Sequence, residues 1–182
     1  MAASDWIAGA RRVLSPNFDS RPPGCAISLA VLHSISLPRG RYGKINGGSA
    51  IERLFTNRLD PAAHTSFADL AGLRVSSHFL IYRDGELVQF VPIHLRAWHA
   101  GASRWRARAR CNDFSIGVEL EGMPERAFAD AQYEPLARLV RELRAALPLR
   151  EIAAHSDVAP GRKIDPGGHF DWLRLFSALA AR

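Results

Sequence analysis

The chain has 182 residues, 47% of them hydrophobic and 23% charged. This fits one globular domain with its own core and argues against long-range disorder. No apolar run approaches the roughly 18 residues of a membrane-spanning helix, and the N-terminal stretch through Pro16 lacks the ordered parts of a secretory signal, so the cytoplasm is the expected compartment. Lysine and arginine number 24 against 18 acidic residues, a net charge of +6 that points to an anionic partner.

Residues 1–14 read as a loose start. Ala26–Leu32 is a short apolar run after Arg21-Pro22-Pro23-Gly24 and reads as a buried strand running straight into His33. Residues 37–48 hold four glycines and a proline and read as a mobile loop. Ser49 and Glu52 have the spacing of a capping box. It opens a short helix, with Ile51, Leu54 and Phe55 as its apolar face, that is expected to run to about residue 58 before Asp60-Pro61. Asp84-Gly85 between two apolar runs predicts a hairpin over 75–91. Phe114–Leu120 reads as a strand. Asp130–Leu147 reads as the clearest helix, with Leu136, Leu139, Val140 and Leu143 at three- and four-residue steps. Glu151–Ala154 is a short strand leading to His155, and a last amphipathic helix covers 171–181. Together these imply an α+β fold, a mixed sheet flanked by helices in a single domain.

Of seven histidines, position singles out His33 and His155, each at the end of an apolar strand where a side chain is both rigidly held and open. Asp165 follows ten residues after His155. Two imidazoles and one carboxylate leave a fourth position for water, the layout of a catalytic zinc site; the alternative is that each is an ordinary satisfied polar residue. Alternation puts Glu119 and Glu121 on one strand face, where a carboxylate must be paired, functional or solvated. Lys163 is either a source of positive charge near Asp165 or an exposed loop lysine. Arg104, Arg106, Arg108 and Arg110 surround Trp105 and could grip a phosphate backbone, or form a solvated loop. The two cysteines, Cys25 and Cys111, make neither a CxxC nor a zinc-knuckle pattern.

Six segments taken in order resemble the AmpD-type 1,6-anhydro-N-acetylmuramoyl-L-alanine amidases. They are Val31–Pro38, Arg74–His78, Arg83–Gln89, Arg96–Gly101, Arg110–Gly122 and His155–Gly167, and the resemblance runs from about Ser15 to Trp172. It implies the fold shared by T7 lysozyme and peptidoglycan recognition proteins, over one amidase domain spanning 1–182. It implies one Zn2+ per chain held by His33, His155 and Asp165, with Glu119 and Lys163 as the catalytic pair. It also implies stem-peptide binding by Arg74 and Arg110 and a sugar contact by Trp98. The implied activity is hydrolysis of the amide between anhydromuramic acid and L-alanine in cytosolic muropeptide recycling. The expected protein is a monomer with no nucleic-acid or membrane partner. Competing readings are an envelope amidase acting on intact peptidoglycan and a non-catalytic muropeptide-binding module. The sequence departs from the family pattern at Ser34, where AmpD-type chains commonly carry asparagine, and at Ser156, where cysteine is common.

Overall fold

A computed structural model gives the architecture, with residues 5–44 and 48–181 described. Among the described residues, ten strands occur in chain order. They are β1 (Arg11–Arg12), β2 (Phe18–Asp19), β3 (Leu29–Ile35), β4 (Phe79–Ile81), β5 (Leu87–Gln89), β6 (Arg96–Ala97), β7 (Arg104–Trp105), β8 (Arg108–Ala109), β9 (Ser115–Glu121) and β10 (Glu151–Ala154). The α-helices are α1 (Ala50–Phe55), α2 (Tyr133–Ala146), α3 (His155–Val158) and α4 (Trp172–Ala180). The main sheet has the order β1-β5-β4-β9-β3-β10. Its pairings are parallel except for the β4–β5 hairpin, which turns where Asp84-Gly85 predicts.

The central strands are covered on both faces, which is why β3 and β9 read as nearly continuous apolar runs. Ala30, Leu32, Ile116, Val118 and Leu120 face α2 and α4 and pack with Leu136, Leu139, Val140, Leu143 and Leu175. On β9 the alternate residues Ser115, Gly117, Glu119 and Glu121 point to the opposite face, as does His33 on the neighbouring strand. Over that second face α1 lays Ile51, Leu54 and Phe55 against Leu80, Val88 and Phe90. One face of the sheet therefore holds α2 and α4, while the other carries α1 and the polar residues of β3 and β9.

Several boundaries differ from expectation. β3 continues through His33 to Ile35 and β9 continues to Glu121, so His33 and Glu119 sit inside paired strands and not at their ends. Helix α1 stops at Phe55. Asn57 adopts a left-handed φ of 58°, Asn57 N–H donates to the Leu54 carbonyl and Arg58 N–H to the Arg53 carbonyl, the paired bonds of a Schellman termination. Ser49 caps through Ile51 N–H, while Glu52 does not reach back to it. Glu52 instead accepts from Arg11 Nη2 at 2.6 Å and from Tyr82 OH at 2.5 Å.

The N-terminal segment is not loose over its described part, while residues 1–4 lie outside the described residues. β1 extends the sheet, Ile7 is buried, and Ile7 N–H donates to Gln89 Oε1 at 2.8 Å. Of the loop expected over 37–48, residues 45–47 lie outside the described residues; Gly43 N–H donates to Glu121 Oε1 at 2.6 Å. The arginine stretch is a hairpin and not a loop, since β7 pairs with β8. Arg104, Arg106, Arg108 and Arg110 are exposed, yet Arg106 pairs with Glu151 and the Arg108 guanidinium stacks 3.8 Å from the Phe114 ring centroid. Cys25 and Cys111 are both free, and no described helix is long and apolar enough to cross a membrane.

The Glu52 cluster sets a pH dependence. Burial acts to raise the Glu52 carboxyl, but the hydrogen bonds from Arg11 and Tyr82 outweigh it and hold it below its ordinary value. A glutamate in the unfolded chain titrates near about 4.3. The stabilisation is thus complete above that pH and is lost as pH falls through the lower folded value. Glu52→Gln should melt below the parent at neutral pH. The two melting temperatures should converge in acid, as a series of thermal scans across pH would show.

A candidate metal centre in the sheet cavity

Three chain segments meet at the C-terminal end of the parallel strands. β3 and β9 pair His33 with Glu119 on one rung, and β10 pairs with β3 on its other side and delivers His155 immediately after its last residue. The chain then loops back, and Ser156 N–H donates to the Asp165 carbonyl at 3.0 Å, which returns Asp165 to the sheet. The sequence expectation of a His–His–Asp group is met in space: His33, His155 and Asp165 each place a ligand atom within 4.8 Å of the others.

The triangle of donor atoms tests whether a cation fits. His33 Nδ1 and His155 Nδ1 are 2.9 Å apart, His155 Nδ1 and Asp165 Oδ2 are 3.0 Å apart, and His33 Nδ1 and Asp165 Oδ2 are 3.3 Å apart. Ligands about 2.0–2.2 Å from a tetrahedral zinc stand roughly 3.3–3.5 Å from one another. The site has that size, with two edges slightly drawn in. His155 Nε2 lies 3.3 Å from the Ala100 carbonyl, which can only accept, so the proton of this ring sits on Nε2 and Nδ1 turns a bare lone pair to the site. The donor set of two nitrogens and one carboxylate suits zinc and keeps one tetrahedral position open.

Burial sets the protonation states. It pushes His33 down to about 4, against the opposing pull of the neighbouring Asp165. Burial would raise Asp165, but its contacts with His155 and His33 outweigh that and hold the carboxyl well below its ordinary range. Burial, with the Asp165 charge second, lifts Glu119 well above the ordinary carboxylate range, partly offset by Lys163. A carboxyl raised in this way holds a proton more readily than an ordinary carboxylate, as a general base requires.

The ligands line a cavity of about 250 Å3 with Glu119, Lys163, Trp98, His99 and Ser34. Glu119, Lys163 and Trp98 thus line the same cavity as the three donor residues. Arg74 and Arg110 do not line this cavity. Arg74 lines an adjoining one of about 140 Å3, and Leu54 and Leu73 border both. Arg110 is exposed with a left-handed φ of 63°, and its Nε stands 3.3 Å from Asp113 Oδ2. Glu121 shares the face of Glu119 but is engaged elsewhere, accepting from Gly43 N–H and Arg83 N–H.

Sequence reasoning left out His99, whose Nδ1 lies 2.9 Å from His33 Nε2, and buried His78, whose Nδ1 accepts from Gly117 N–H at 3.0 Å. The signal for His99 was its place in the Arg96–Gly101 segment beside Trp98.

Comparison with known proteins shows the family. The family described as N-acetylmuramoyl-L-alanine amidase matches residues 23–168. The 1,6-anhydro-N-acetylmuramyl-L-alanine amidase AmpD of Escherichia coli (strain K12) is 53% identical over 172 residues, covering 93% of this chain and 92% of that protein. A crystal structure of an AmpD selenomethionine derivative superposes with a TM-score of 0.91 at 48% identity, over 98% of this chain and 99% of the other. The amidase AmiD from E. coli, solved with anhydro-N-acetylmuramic acid-L-Ala-D-γ-Glu-L-Lys as its substrate, gives a TM-score of 0.61 at 29% identity, over 87% of this chain and 60% of that one. The peptidoglycan recognition protein PGRP-SA of Apis mellifera shares the fold, with a TM-score of 0.59 at 12% identity over 88% of this chain and 91% of that one. The expected α+β amidase fold is thus the observed one, and the chain belongs to the N-acetylmuramoyl-L-alanine amidase family and is similar to the AmpD amidases over most of its length.

Proposed function

We propose that this amidase hydrolyses the bond between the lactyl carbonyl of 1,6-anhydro-N-acetylmuramic acid and L-alanine of the stem peptide, as a zinc enzyme of cytosolic muropeptide recycling. The observation that carries the reading is the convergence of His33 Nδ1, His155 Nδ1 and Asp165 Oδ2 in a cavity that Glu119 and Lys163 also line. The extensive likeness to E. coli AmpD supports the anhydro sugar and the recycling setting. The fold is read as a single amidase domain, acting as a monomer with one zinc.

His33, His155 and Asp165 would hold the ion, which supplies Lewis acidity for water and for the scissile carbonyl. Glu119 accepts the proton of the attacking water and returns it to the departing amine of L-alanine. Lys163 stands at the cavity rim and offsets negative charge as the carbonyl oxygen gains it. Trp98 presents an apolar wall to the sugar. The Ser34 hydroxyl is buried with no hydrogen-bond partner in the protein and is shorter than the asparagine amide that AmpD-type chains commonly carry there, so that side chain's peptide contact is not carried over. The net charge of +6 favours a substrate bearing carboxylates.

The test is mass spectrometry of products from a mixed pool of anhydromuropeptides and intact muropeptides. Free stem peptide and anhydro sugar should appear first. Release from intact glycan strands at an equal rate would favour an envelope amidase, and no release at all would leave only a binding role.

Arg74 and Arg110 are assigned to the carboxylates of the stem peptide. A guanidinium can grip a carboxylate through two parallel bonds, so Arg110→Lys should lower kcat/KM about ten- to a hundred-fold on a full stem and much less on a truncated one. Equal losses on both stems would remove Arg110 from substrate binding.

A further inference from the structure

A histidine binds a cation through the nitrogen that carries no hydrogen, and the bond made by the other nitrogen decides which one that is. For His155 the Ala100 carbonyl decides it. His33 has no such carbonyl, because its Nε2 faces His99 Nδ1 at 2.9 Å. An imidazole nitrogen can donate or accept, so this contact alone leaves both tautomers of His33 open.

The next two contacts close the choice. Ser115 Oγ donates to the Cys111 carbonyl at 2.6 Å. Its one proton is spent there, so toward His99 Nε2, 3.2 Å away, the hydroxyl can only accept. His99 therefore carries its proton on Nε2, and a neutral ring then has a bare Nδ1. His33 must donate to that nitrogen from Nε2, which leaves its own Nδ1 bare toward His155 and Asp165.

We infer that His99 and Ser115 are positioning residues, a relay from His33 through His99 and Ser115 to the Cys111 carbonyl that fixes the metal-binding tautomer of His33. The inference rests on the metal site proposed above. Two further features build the relay in. A Cβ at Gly117 would lie 2.5 Å from His99 Cγ and 2.7 Å from Ser77 Oγ, so β9 is bare where the ring of His99 packs. Asn112 Oδ1 accepts from His99 N–H at 3.2 Å and Ala100 N–H at 2.8 Å. One side chain thus anchors both the residue whose ring orients His33 and the residue whose carbonyl orients His155. His78 does not compete, since its Nδ1 accepts from Gly117 N–H and its Nε2 donates to the Leu95 carbonyl at 3.0 Å.

The test has two readouts on the full chain. In nitrogen-15 NMR of the metal-free parent, His33 should appear as the Nε2–H tautomer; an Nδ1–H form there would overturn the relay without any variant. In zinc titration against a competing chelator, Ser115→Ala and His99→Leu should weaken binding about 10- to 100-fold. His99→Asn, whose Oδ1 can take the place of Nδ1 and accept from His33, should recover most of that loss. Unchanged affinity in Ser115→Ala, or equal losses in His99→Leu and His99→Asn, would overturn the inference. A parent that binds no zinc would sink the metal reading instead, while the tautomer measurement still decides the relay.

Discussion

Replacing Glu119 by glutamine should lower kcat on anhydromuropeptide by about 10²–10⁴-fold, the usual worth of a general base, while zinc stays near one per chain. The carboxylate lies on the rung beside His33 but is not part of the ligand triangle, so metal content and turnover should separate. Glutamine keeps the shape and removes the basic oxygen. Burial favours the neutral form of Glu119, so the variant should also fold at least as stably as the parent at neutral pH. A variant within a few-fold of parental turnover would assign the base elsewhere. Glu121 is a poor replacement, because its two oxygens are taken by the Gly43 and Arg83 amides.

His155→Ala should release most of the metal and nearly all activity together. The substitution removes one of three ligands, and the remaining imidazole and carboxylate form an incomplete site. A ligand that binds only the folded chain stabilises it by mass action, about 2.7 kcal/mol at a hundred times its Kd. The parent should therefore melt at a higher temperature with added zinc than after chelation, and His155→Ala should lose that difference. The apolar sheet and helix core does not involve the imidazole, so the variant should stay folded. Elemental analysis with paired thermal scans checks both parts. Retained zinc stoichiometry in His155→Ala would refute the ligand assignment.

The sheet was largely legible from local chemistry. Asp84-Gly85 marked the one hairpin of the main sheet, and the spacing of Leu136, Leu139, Val140 and Leu143 marked α2 and its buried face. These signals work because turn conformation and helical period act over a few residues. The helix end at Phe55 was misplaced because Asn57, not Asp60-Pro61, supplies the left-handed residue that stops it. β1 is two residues long and held by its partner strand and the Arg11 ion pairs, so it leaves no periodic trace. The 104–110 stretch read as a loop by composition, yet the Arg106–Glu151 pair and the Arg108 stack on Phe114 draw on distant residues. The same holds for the site. His33, His155 and Asp165 could be singled out by their places beside apolar strands and by the family likeness. The part played by His99 depends on three segments meeting in space, and no window of sequence contains that meeting.

His33 and Glu119 face each other across one rung of a parallel ladder. Inserting or deleting a single residue in either strand upstream of that rung would turn one of the two side chains to the helical side of the sheet. Such an indel removes a metal ligand or the proton acceptor in one step, whatever the inserted residue is. Drift in chain length is thereby barred from β3 and β9 and left to connections such as 59–74, whose Leu73 lines the cavity. Homologous chains can then change what they admit by altering loops while the spacing between ligand and base is inherited from backbone pairing alone.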